Sequence, residues 1–131
     1  MINNLAIVQA RSNSKRFPNK VLKKINGIPL ILILLKRLSL SKKISKIVIA
    51  TTDEKSDDIL TSILLAEKFE VVRGSSENVL KKFIKVLKKF KAKNVLRITG
   101  DCPLIDCELA DNMIGYFSKH KFDYLTNANP P

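Results

Sequence analysis

The feature that most constrains this chain is an alternation along its length. Short apolar runs at residues 5–8, 44–51, 69–72, 95–98 and 122–125 alternate with segments whose apolar residues recur every three or four positions. The helical spacing is plain in Leu30, Ile31, Leu34, Leu35 and Leu38, in Ile59, Leu60, Ile63 and Leu64, and in Val79, Leu80, Phe83, Ile84, Val86, Leu87 and Phe90. A last helix is predicted over residues 108–117. Strands followed by helices bury their apolar faces as a parallel sheet covered on both sides, which predicts an α/β sandwich of three layers. In such sheets ligands collect at the carboxyl ends of the strands, near the point where strand order reverses.

A length of 131 residues fits one domain, and 45% hydrophobic with 27% charged residues suits a packed globule. The longest apolar run, residues 28–35, is broken by Pro29 and falls short of the roughly 20 residues that cross a bilayer. The opening Met1-Ile2-Asn3-Asn4 has no basic region and cleavage site of a secretory leader, so a cytoplasmic protein without a membrane partner is expected. Cys102 and Cys107 form no C-x-x-C pair and have no companion histidines, so they are expected to be reduced thiols. The net charge of +12 raises the alternative of an anion- or nucleic-acid-binding module. However, Lys81, Lys82, Lys85, Lys88, Lys89, Lys91 and Lys93 fall between apolar residues at helical spacing. They read as a solvated helix face, and no RNA-binding aromatic motif accompanies them, so no nucleic-acid partner is expected.

The unusual polar residues follow the predicted strands. After the first comes Ala10-Arg11-Ser12-Asn13-Ser14-Lys15-Arg16-Phe17-Pro18-Asn19-Lys20, four cations spaced by small polar residues. Arg forks, a Lys ammonium and loop N–H groups together suit a triphosphate, although neither a P-loop nor a G-x-G-x-x-G is present. Asp53 and Arg73 follow the second and third strands, and Gly100-Asp101 follows the fourth. Pro103 delays the next helix, so the Asp101 carboxylate projects from a strand end, where it suits either Mg²⁺ or the capping of a turn. Asp106, Cys107 and Asp111 are assigned no role.

The stretch Val8-Gln9-Ala10-Arg11-Ser12-Asn13-Ser14-Lys15-Arg16-Phe17-Pro18-Asn19-Lys20-Val21-Leu22 resembles the opening signature of the cytidylyltransferases that activate acidic sugars, in the branch named for spore-coat polysaccharide biosynthesis protein F. Ala50-Thr51-Thr52-Asp53, Val72-Arg73-Gly74-Ser75, Asn78-Val79-Leu80 and Arg97-Ile98-Thr99-Gly100-Asp101-Cys102-Pro103-Leu104-Ile105-Asp106 extend the likeness, in order, over nearly the whole chain. The resemblance implies a Rossmann-like fold of the nucleotide-diphospho-sugar transferase type. It implies transfer of CMP from CTP to an acidic or related sugar with release of pyrophosphate. Arg11, Ser14, Arg16 and Lys20 would cradle the phosphates, Ala10 would border the base, Arg73 would lie at the nucleotide pocket, and Asp101 would bind Mg²⁺. Arg16, Lys20 and Asp101 would be the catalytic set. Family members continue past the Asn127-Ala128-Asn129-Pro130-Pro131 at which this sequence stops, into a part carrying a further acidic metal ligand, much of the sugar pocket and the dimer contacts. Residues 1–131 are therefore expected to be the nucleotide-binding part, with the sugar-binding and dimerisation part absent and the full-length form a homodimer. A glycosyltransferase using nucleotide-sugars is the alternative enzyme, since related folds bind nucleotides at a similar rim.

Overall fold

The structure is a computed structural model that describes residues 1–128. Its order is β1 (Ile2–Gln9), β2 (Lys24–Ile25), β3 (Ile28–Pro29), α1 (Leu30–Leu38), β4 (Lys46–Thr52), α2 (Asp58–Ala66), β5 (Glu70–Gly74), α3 (Val79–Lys89), β6 (Ala92–Thr99) and α4 (Cys107–Lys119). Four strands form one parallel sheet in the order β5-β4-β1-β6. The chain steps outward from β1 to β4 and β5, then returns to the far side of β1, so the switch point lies between the carboxyl ends of β1 and β6.

The run Leu5-Ala6-Ile7-Val8 is wholly buried because β1 is an inner strand with both faces covered. Ala6 and Val8 pack with Ile31, Leu34 and Leu35 of α1 and Leu60 and Leu64 of α2. Leu5 and Ile7 pack on the opposite face with Val86 of α3. Alternate side chains of one strand thus serve two cores, giving the expected three-layer, Rossmann-like sandwich. Burying a Leu or Ile in either core contributes about 1.5–3 kcal/mol. Between β1 and α1, Asn26-Gly27 turns the small antiparallel β2–β3 hairpin, with positive φ at both residues, as a two-residue hairpin turn requires.

The fifth strand predicted at residues 122–125 does not form. Phe122 instead stacks on His120 with ring centroids 5.2 Å apart, clipping the segment to the end of α4. Residues 123–127 and the outer edge of β6 line a cavity of about 460 Å³ and do not pair. Among the described residues no helix is long and apolar enough to cross a membrane.

Candidate functional site

Two loops meet at the switch point. β6 ends beside β1, where the Gly100 N–H donates to the Gln9 carbonyl at 2.7 Å. An added Cβ at Gly100 would stand 2.7 Å from that carbonyl oxygen and 2.8 Å from the Ala10 Cβ, so only glycine lets the loops approach. The turn delivers Asp101 to the rim. On the β1 side, the chain from Ala10 folds out and back, closed by the Asn19 N–H donating to the Ser12 carbonyl at 2.7 Å. Asn19 adopts a left-handed conformation before a single 3-10 turn, Lys20–Leu22, which carries Lys20 back to the cleft. Lys20 Nζ then lies 3.3 Å from Asp101 Oδ2, across 81 positions of sequence.

Ala10, Arg11, Ser14, Arg16, Lys20 and Asp101 line one cleft of about 360 Å³, joined by Arg97, Thr99 and Lys82. Five of these side chains are cationic and one is a carboxylate, a balance that suits a polyanion. The larger cavity beside β6 is lined mostly by apolar and amide side chains with a single arginine and a single carboxylate, and lacks the clustered cations that phosphates need. Burial pushes the Asp101 carboxyl up, but hydrogen bonds from Thr99 and Lys20 and the Lys20 charge outweigh it and hold the group below the ordinary carboxylate value. The carboxylate is thus ionised at neutral pH and half exposed. It is a hard oxygen donor of the kind Mg²⁺ uses singly, with phosphate oxygens and water completing the shell. Among the described residues no group of three or more His, Cys, Asp or Glu is arranged to hold a metal.

The fold takes Arg73, a sequence-predicted site residue, elsewhere. Its Nε donates to the Thr52 carbonyl at 2.8 Å, one terminal nitrogen donates to the Glu54 carbonyl at 2.7 Å, and the other pairs with Asp58 at 2.8 Å. The guanidinium is spent on the turn between β4 and α2 and does not line the cleft. Asp53, on the same turn, is likewise outside it.

Sequence reasoning missed what holds the basic loop. Asp57 is fully buried, and its Oδ1 accepts from both the N–H and the hydroxyl of Ser12, each at 2.6 Å, while Oδ2 accepts from the Thr52 hydroxyl. Burial raises the Asp57 pKa, but the Ser12 and Thr52 bonds and the nearby Arg73 prevail and lower it. No sequence pattern marks this anchor, because it joins residues 45 positions apart. Lys82, expected on a solvated face, is 3% exposed and faces inward with Val86. Its four-residue spacing from Val86 is the signal that would have found it. Asp106 caps α4 by accepting from the Glu108 and Leu109 N–H groups, and Asp111 ties α4 to the Ser41–Lys43 turn. Both are structural. The two cysteines are free thiols.

A family model described as cytidylyltransferase matches residues 5–131. The chain belongs to the cytidylyltransferase family. It is 40% identical over 131 residues to the spore coat polysaccharide biosynthesis protein SpsF of Bacillus subtilis, covering 97% of this chain and 55% of that protein. It is 30% identical over 121 residues to the 8-amino-3,8-dideoxy-manno-octulosonate cytidylyltransferase of Shewanella piezotolerans, covering 90% of this chain and 49% of that one. A cytidylyltransferase structure from Leptospira borgpetersenii superposes with a TM-score of 0.86 at 30% identity, over 92% of this chain and 51% of its own. The CMP:2-keto-3-deoxy-manno-octonic acid synthetase complexed with CTP superposes with a TM-score of 0.77 at 19% identity, over 89% and 48%, a likeness of fold. The chain thus spans about half the length of the relatives it matches.

Proposed function

We propose that this chain is the nucleotide-binding part of a Mg²⁺-dependent cytidylyltransferase that transfers CMP from CTP to an acidic sugar, releasing pyrophosphate, for surface polysaccharide synthesis in the cytoplasm. One observation carries the reading: the cations of the β1 loop and the Asp101 carboxylate of the β6 loop line a single cleft at the switch point. Family membership supports the choice of CTP. The acceptor pocket and the contacts of a homodimer are assigned to the remainder of a full-length form, in line with the length of the relatives.

In this reading a sugar hydroxyl oxygen, releasing its proton to water, attacks the α-phosphorus in line. The new O–P bond forms as the bond to the bridging oxygen breaks, and the electron pair leaves with pyrophosphate. Arg16 and Lys20 neutralise charge that builds on the α-phosphate and the departing group, and Arg11 and Ser14 hold the remaining phosphate oxygens. Ala10, which has no bulk beyond Cβ, leaves the base room beside β1. Asp101 would hold Mg²⁺, which supplies charge neutralisation to the phosphates when bound. Lys20 is paired with Asp101 beforehand, so the carboxylate keeps the ammonium beside the place where the reacting phosphate is received.

Calorimetry tests this. CTP is expected to bind saturably with Mg²⁺ and more tightly than ATP or GTP. Arg16→Ala is expected to weaken it by about tenfold or more, and Asp101→Ala to remove the Mg²⁺ dependence. Equal affinity for all three nucleotides would refute the assignment.

A further inference from the structure

Lys82, a residue only 3% exposed overall, lines the cleft and has no role in the chemistry above. Its stem crosses Gly74 at the end of β5 so closely that an added Cβ there would stand 2.7 Å from Lys82 Cγ. Its side chain lines the same cleft as Arg11 and Ala10. Among the described residues no hydrogen bond or ion pair engages the ammonium. Burial, and then the adjacent Arg11 charge, lower its pKa against the opposing pull of Asp57, Asp53 and Glu54. Two neighbouring cations, one of them partly desolvated, repel each other until an anion lies between them. An apolar residue on this face of α3, beside Val86, would avoid that cost entirely.

We propose that Lys82 is a phosphate-binding residue: with Arg11 it forms a second anion-binding pair on the β5 side of the cleft, opposite Lys20 and Asp101 on the β6 side. A polyphosphate entering the cleft is then gripped from both flanks of β1. Gly74 belongs to the device, since its missing side chain is the channel through which Lys82 reaches inward. The inference rests on the nucleotide reading only for the identity of the polyphosphate.

The test is calorimetric titration of the protein with inorganic tripolyphosphate, CTP and cytidine. Lys82→Met is expected to weaken tripolyphosphate and CTP by about tenfold or more, as loss of a charge-assisted hydrogen bond does, and to flatten the salt dependence. It should leave cytidine unchanged and melt no lower than the parent, because a partly desolvated charge repelled by Arg11 has been removed. Lys82→Arg is expected to retain most of the affinity. Gly74→Ala, which crowds the stem and keeps the charge, is expected to weaken tripolyphosphate as well. Unaltered tripolyphosphate affinity in Lys82→Met and Gly74→Ala would overturn the proposal, as would a parallel loss of cytidine, which would assign Lys82 to the nucleoside. If CTP proves no tighter than ATP or GTP while Lys82→Met still weakens tripolyphosphate, the cytidylyltransferase reading falls and the Lys82 assignment stands.

Discussion

Asp57 and Asp101 sit in loops at the same end of the sheet, and both carboxyls are held below their ordinary value. Asp57 is sealed from solvent, with its oxygens filled by Ser12 and Thr52. Asp101 has a side chain 54% exposed, with Lys20 at 3.3 Å. The same direction of shift therefore marks two different duties. A carboxylate whose acceptor sites are filled by the protein fastens a loop, while one with acceptor capacity left open to solvent can meet a cation.

That contrast is sharpest in stability. Asp57→Ala is expected to cost about 3 kcal/mol, since it strands the Ser12 and Thr52 donors in the interior, whereas Asp101→Ala should stay within about 0.5 kcal/mol because its ion pair is screened by water. Urea unfolding of both variants checks this, and equal losses would erase the distinction.

Gly100→Ala probes the ground between the two loops. The added methyl would meet the Gln9 carbonyl and the Ala10 methyl, so a loss of about 1–3 kcal/mol is expected, with weaker nucleotide binding as Asp101 shifts relative to Lys20. A shift in urea midpoint without any change in CTP affinity would separate the close approach from the site.

The smallest expected effect is in pH dependence. Each depressed carboxyl contributes stability that is fully present above the unfolded pKa of about 4 and is lost as pH falls through the lower folded value. The stability gap between the parent and Asp57→Asn should therefore narrow as pH drops below about 4, and the gap for Asp101→Asn should change in the same direction. Thermal melts between about pH 2.5 and 7 measure both gaps, and a gap for Asp57→Asn that stays constant would mean the buried group does not titrate with folding.

Sequence alone determined the layers and the basic loop, because strand and helix periodicities are local and a buried parallel strand such as Leu5-Ala6-Ile7-Val8 has to be continuously apolar. It also marked the strand ends, and with them residues 11–20, Asp53, Arg73 and Gly100-Asp101 as one rim. Tertiary structure decided which polar residues reach that rim. Arg73 was drawn off by the carbonyls of Thr52 and Glu54, Lys82 was drawn in across Gly74, and Phe122 went to an aromatic stack instead of a fifth strand. Those outcomes depend on partners tens of residues away or on a missing side chain, and long-range partners leave no period in the chain to read.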